Sequence, residues 1–105
     1  MIEIYPEELK EWFDTNKEFQ LLDVREDFER EQLSIGGDFL PMSIVFDNVK
    51  KVKRDIPVVV MCSSGARSAS VISLLEDFHG FDNLYNLEGG VVGYIHRIDP
   101  ERNIY

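Results

Sequence analysis

Cysteine occurs once in this chain, at position 62, which excludes an internal disulfide and leaves packing, hydrogen bonding and charge to hold the fold. Basic residues are in deficit. Eleven Lys and Arg face 20 Asp and Glu, a net charge of -9, so long-range repulsion opposes nucleic acid or an anionic membrane as a partner. No apolar run approaches the ~20 residues that a membrane span needs, and Met1-Ile2-Glu3-Ile4 has neither the basic nor the apolar stretch of a secretory signal. With a thiol that stays reduced, these absences lead us to expect a soluble, cytoplasmic protein. Histidine is scarce too: His96 has no cysteine or second histidine at ligand spacing, and His79 reads as a dipole partner at a helix end, so no metal and no cofactor are expected. There is no repeat or low-complexity stretch, and 105 residues suffice for one core, which gives a single domain over residues 1–105.

What the chain does contain is an alternation of short apolar runs with helical patterns. Ile2 to Tyr5 reads as a strand. Pro6 then opens a helix with Leu9, Trp12 and Phe13 at i, i+3 and i+4 and with Glu7 and Glu8 in the first turn, where the helix dipole favours them. Phe19 to Val24 is a second strand that turns polar at Asp23, and Asp27 to Leu33 a short helix. Ser43 to Lys53 is read as another helix, with Ile44, Val45, Val49 and Val52 inward and Lys50, Lys51, Lys53 and Arg54 in solvent. The β-branched run Pro57 to Met61 is a strand, and Ala66 to Phe78 a helix that carries Val71, Leu74, Leu75 and Phe78 on one face and closes at Gly80. Leu84 to Leu87 is a last strand and Val91 to Ile98 a last helix. The alternation predicts an α/β domain with a mainly parallel sheet and right-handed crossovers. Sites in such sheets form at the carboxyl ends of strands, where Asp23 and Cys62 fall.

Cys62 opens the run Cys62-Ser63-Ser64-Gly65-Ala66-Arg67-Ser68 between an apolar strand and a helix. In that position several backbone N–H groups converge on the thiol, and Arg67 adds a cation. Both favour thiolate and make Cys62 a candidate nucleophile. The competing reading is a small buried hydrophobe that ends a core strand.

Three motifs decide between them. Leu21-Leu22-Asp23-Val24-Arg25-Glu26, the Cys62 run and Leu87-Glu88-Gly89-Gly90 occur in this order, and together they resemble a single-domain rhodanese, of the sulfurtransferase family, over nearly the whole chain. The resemblance implies a rhodanese-like central sheet flanked by helices on both faces. It implies that the Cys62 thiolate accepts a sulfane sulfur, becomes a persulfide, and passes the sulfur on. The implied partners are a small sulfane-sulfur donor or a protein persulfide, and a thiophilic acceptor or acceptor protein. Ser63, Ser64, Gly65, Ala66 and Arg67 would surround the transferred sulfur, with Gly65 free to take positive φ and Arg67 orienting an anionic donor. Ser68 would support the loop with its hydroxyl or cap the helix. Asp23 would hold the loop from beneath by hydrogen bonds, and Arg25 would brace the following helix through Glu29 or Glu31.

The sequence departs from the family pattern at three places. Ser63 stands where many members carry a basic residue, which lowers the attraction for a small dianion such as thiosulfate. The turn Ser34-Ile35-Gly36-Gly37 resembles that of rhodanese domains fused to sulfur-carrier activating enzymes, and Tyr94 stands where tryptophan is frequent. Two other functions compete. Phosphate or arsenate enzymes of the same fold place five residues between cysteine and arginine, where this chain has four. A non-catalytic interaction module would need neither Cys62 nor Arg67, and both are present.

Overall fold

Side chains of the central strands alternate between two cores, and this alternation sets the layering of the molecule. The computed structural model describes residues 1–102, in which strands and helices follow one another as β1 (Ile2–Ile4), α1 (Pro6–Asp14), β2 (Gln20–Asp23), α2 (Asp27–Gln32), β3 (Asp38–Phe39), β4 (Val58–Met61), α3 (Ala66–His79), β5 (Leu84–Leu87) and α4 (Gly90–Ile98). The sheet order is β1-β5-β4-β2-β3, and every pairing among the described residues is parallel. Leu22, Val58 and Val60 point to one face, against Val71, Ile72 and Leu75 of α3 and Val45 and Val52 of the connection to β4. Leu21, Val59 and Met61 point to the other, against Leu9 of α1, Leu33, and Val91, Tyr94 and Ile95 of α4. β2 and β4 are buried along their whole length; β4 is accordingly an unbroken apolar run, whereas β2 buries two polar ends, Gln20 and Asp23, around Leu21-Leu22.

Register places the chemistry. Asp23 pairs with Met61 and Val60 with Asn86, so the carboxyl ends of β2, β4 and β5 lie side by side and deliver Asp23, Cys62 and Glu88 to one rim of the sheet.

Two expectations fail on local grounds. Ser43 to Lys53 is not one helix but two single 3-10 turns, Val45–Asp47 and Val49–Lys51. Asn48 lies between them with φ -132° and ψ 32°, and its Nδ2 donates to the Ile44 carbonyl at 2.9 Å, a side-chain bond that competes with helix propagation. Val45 and Val52 are buried as expected, whereas Ile44 is exposed. On α3 the buried residues are Val71, Ile72 and Leu75, and Leu74 and Phe78 face solvent. Arg54 is exposed with the rest of the basic cluster, as expected, and from there stacks on Phe81, 3.8 Å from the ring centroid, and donates to the His79 carbonyl at the end of α3. β3, two residues on the sheet edge, was not anticipated.

Candidate functional site

The loop that follows β4 is shaped by the helix that follows β5. Val91 N–H donates to the Cys62 carbonyl at 2.9 Å, and Val92 N–H donates to the Ser63 carbonyl at 3.1 Å. A trans peptide directs its carbonyl and its N–H in opposite senses. By turning these two carbonyls outward toward α4, the structure turns the N–H groups of Ser63 and Ser64 inward. The approach is so close that a Cβ on Gly90 would overlap the Ser63 carbonyl, and Gly90 itself has φ +64°. This is the physical content of the Gly89-Gly90 pair. Gly65, at φ +104°, makes the second turn of the loop and starts α3.

Cys62 is 0% exposed and its sulfur is ringed by donors. Gly65 N–H lies 3.0 Å from Sγ, and the Ser68 N–H and hydroxyl each lie 3.4 Å away. Burial pushes the thiol up. The Ser68 hydroxyl and the N–H groups of Ser68, Gly65 and Ser64 outweigh that cost and hold Cys62 below the ordinary thiol value. Ser68 has one hydroxyl proton and three neighbouring acceptors: the Asn86 Oδ1 at 2.6 Å, the Gly65 carbonyl at 3.2 Å and the sulfur. Asn86 Nδ2 donates to the Gly65 carbonyl at 3.1 Å, which fixes the amide so that Oδ1 faces Ser68. A neutral thiol therefore donates to Ser68 while Ser68 donates to Asn86, and a thiolate draws the hydroxyl proton toward itself.

Arg67 does not stand open above the loop. Its guanidinium forms a two-pronged ion pair with Glu29 of α2, Nη1 to Oε1 at 2.7 Å and Nη2 to Oε2 at 2.6 Å, and the Ser63 hydroxyl donates to the same Oε2 at 2.8 Å. Arg67, aided by the Glu26 N–H and the Ser63 hydroxyl, holds the Glu29 carboxyl down at about 2, and Glu29 in turn raises the Arg67 guanidinium. Ser63 thus faces a carboxylate, while Ser64 and Ala66 are exposed on the rim of the loop.

Asp23 and Arg25 do not reach the cysteine loop. The Asp23 carboxylate accepts from Arg25 N–H, Nε and Nη2 at 3.1, 3.0 and 2.9 Å and from Arg30 Nη1 at 3.2 Å. Arg25 passes on to the Leu33 carbonyl at 2.8 Å and the Glu29 carbonyl at 3.5 Å. The expected bracing of α2 by Arg25 is present, but it runs through backbone carbonyls, because the Glu29 side chain is directed to Arg67. Of the two roles open to Asp23, hydrogen bonds from loop N–H groups or a pair with a basic side chain, the structure shows the second: Arg25 and Arg30 occupy the carboxylate, and no loop N–H reaches it among the described residues. A solvent-reachable thiol was also expected, whereas Cys62 is fully covered.

Asn86 was missed, and Glu29 is named from the sequence only as a partner of Arg25, not as the partner of Arg67. Glu29 lies 38 residues before Arg67 in sequence, and its one local signal, the Glu26-x-x-Glu29 spacing of a capping box, speaks only of the helix start. Asn86 could have been found as the lone polar residue in the apolar strand Leu84-Tyr85-Asn86-Leu87. Among the described residues no cluster of His, Cys, Asp and Glu could hold a metal, and no helix is long and apolar enough to cross a membrane.

Comparison with known proteins gives a consistent result. The model of the rhodanese-like domain family matches residues 5–97. A probable adenylyltransferase/sulfurtransferase MoeZ of Mycobacterium tuberculosis is 30% identical across 97% of this chain, and a tRNA uridine(34) hydroxylase of Protochlamydia amoebophila is 31% identical across 87%. The chain spans only 26% and 31% of the length of these two curated relatives. The crystal structure of a rhodanese-related protein from Thermoplasma volcanium superposes with a TM-score of 0.82 at 30% identity, covering 93% of this chain and 94% of that one.

Proposed function

The chain belongs to the rhodanese-like domain family, and on that premise we propose that it is a sulfurtransferase whose Cys62 takes a sulfane sulfur from a donor and passes it to a thiophilic acceptor. The observation that carries this reading is the ring of N–H donors around Sγ. With the Ser68 hydroxyl, it holds the thiol below its ordinary value without a histidine, so no general base is needed. In the first step the thiolate electron pair forms a bond to the donor's outer sulfur, and the donor's own S–S bond breaks with its pair leaving on the departing group. In the second, an acceptor thiolate attacks the outer sulfur of the Cys62 persulfide and Cys62 leaves as thiolate. One sulfur atom moves and no external oxidant is consumed. The same N–H groups oriented by Gly65 and α4 stabilise the anionic persulfide. Four residues between Cys62 and Arg67 suit one sulfur atom better than a tetrahedral oxyanion. The partners in this reading are a sulfane-sulfur donor, small or protein-bound, and a thiophilic acceptor, in a reducing setting such as the cytoplasm. Mass spectrometry after exposure to sulfane-sulfur donors tests it: the protein should gain one sulfur atom on Cys62, Cys62→Ser should gain none, and the pH midpoint of Cys62 alkylation should fall below the ordinary ~8.5. Wild-type protein that gains no sulfur on Cys62 from any of these donors, or a Cys62→Ser variant that moves sulfur from donor to acceptor as fast as the wild type, would refute it.

A further inference from the structure

Arg67 is the single cation of the Cys62 loop, and the structure gives it a partner. Glu29 accepts four hydrogen bonds: from Arg67 Nη1 and the Glu26 N–H on Oε1, and from Arg67 Nη2 and the Ser63 hydroxyl on Oε2. Its place is set by α2 rather than by the loop. The Glu26 N–H contact, at 3.1 Å, belongs to the helix cap, and Arg25 fixes the other end of α2 through the Leu33 carbonyl. The Glu29 side chain is 13% exposed and that of Arg67 38%, so the pair sits at a mouth open to solvent.

We propose that Glu29 is a specificity-determining residue: it withdraws Arg67 from anion recognition, so that the site takes sulfur from a persulfide of no net charge in preference to the thiosulfate dianion. This rests on the sulfurtransferase reading above. With Arg67 and Glu29 cancelling, a Cys62 thiolate leaves the mouth of the loop with one net negative charge. A dianion meets repulsion there, and Ser63 adds no charge of its own. Either donor reacts by the same exchange. The Cys62 pair forms a new S–S bond as the donor's S–S bond breaks, releasing sulfite from thiosulfate or a thiolate from a persulfide. The difference therefore lies in donor binding.

The test compares the specificity constants for thiosulfate and cysteine persulfide in the wild type, Glu29→Gln, Glu29→Ala, and Glu29→Gln combined with Arg67→Gln. Removing one negative charge about 6 Å from a dianion in a water-like medium is worth roughly tenfold. The thiosulfate-to-persulfide ratio should rise by about that factor in both Glu29 variants, mainly through a lower KM for thiosulfate, and the gain should shrink as salt is added. It should vanish in the combined variant, because the effect acts through Arg67. A ratio that is unchanged or lower in both Glu29 variants, or a gain that survives loss of Arg67, overturns the assignment of Glu29 alone. Failure of both donors to place sulfur on wild-type Cys62 overturns the sulfurtransferase reading and this inference with it.

Discussion

Replacing Asp23 with asparagine isolates the group that holds α2 to the sheet. Asp23 and Arg25 are both 0% exposed. Asparagine keeps the shape and one acceptor oxygen, but turns an NH2 group toward the Arg25 guanidinium in place of Oδ1 or Oδ2. Two of the four hydrogen bonds at 2.9 to 3.2 Å are lost, and Arg25 remains buried without a counter-charge beside Arg30, which is also cationic. Breaking a buried pair from one side costs about 3–5 kcal/mol. For a domain of this size the total stability is about 5–15 kcal/mol, so Asp23→Asn should remove a large part of it. We expect a lower midpoint in urea with an unchanged slope, and a fall in Tm on the order of 15 °C or more. Replacing both partners by apolar residues, Asp23→Leu with Arg25→Met, should recover much of the loss, because no buried charge is then left alone. A loss below about 1 kcal/mol for Asp23→Asn, or an apolar pair less stable than Asp23→Asn, would refute the argument.

Other consequences are open to simpler tests. Gly90→Ala adds a methyl against the Ser63 carbonyl at a residue with φ +64°, so beyond the ~1–2 kcal/mol of left-handed backbone it should displace the loop and abolish sulfur transfer. Gly80→Ala, at φ +68° with nothing within 4 Å, should show the backbone cost alone, and equal losses from the two would show that the contact with Ser63 is unimportant. The Glu29 carboxyl falls from its ordinary 4.5 to about 2, so the stability it contributes is present in full above pH 4.5 and is lost as pH drops from there through about 2. After allowing for the solvent screening of Arg67, which is 38% exposed, that contribution is about 1–2 kcal/mol. The urea-midpoint gap between wild type and Glu29→Gln should therefore close with acidification, and a gap that stays constant would refute it.

The parts of the fold carried by local rules could be read directly. Pro6 at a helix start, Gly80 at a helix end and β-branched Val58 to Val60 each fixed an element to within a residue or two, because each limits the backbone regardless of context. The Cys62 loop was readable for the same reason, since a strand, a turn and a helix start in succession leave few places for the thiol. Elements decided by a particular side-chain bond or by a tertiary partner were not readable. The periodic apolar pattern from Ser43 to Lys53 suits a helix, but Asn48 finds a bond to Ile44 and the segment settles into two turns. β3 exists because Leu22 and Asp23 offer an edge to pair with, not because Asp38 and Phe39 favour a strand. Leu74 and Phe78 share a helical face with Val71 in projection, yet the sheet meets α3 along Val71, Ile72 and Leu75. Glu29 shows the limit most clearly: its role is an ion pair across 38 positions that no spacing rule encodes.

The site separates two tasks that a cation beside the cysteine would combine. Stabilising a thiolate or persulfide needs positive potential within hydrogen-bond reach of sulfur, and here the Ser68 hydroxyl and neutral N–H dipoles from the loop and the first turn of α3 supply it. Such dipoles act at short range and do little to draw an anion from solution, whereas a bare guanidinium does both. By pairing Arg67 with Glu29 the protein keeps the first effect and suppresses the second. Outward-turned carbonyls at Cys62 and Ser63 make this possible, because the α4 N–H groups that hold them fix the cradle without help from Arg67. Activation of Cys62 accordingly comes from the backbone shaped by Gly65, Gly90 and the ends of two helices, together with the Ser68 hydroxyl that Asn86 holds in place. Selection among donors is a property of two side chains, Glu29 and Arg67, which can vary without dismantling the nucleophile.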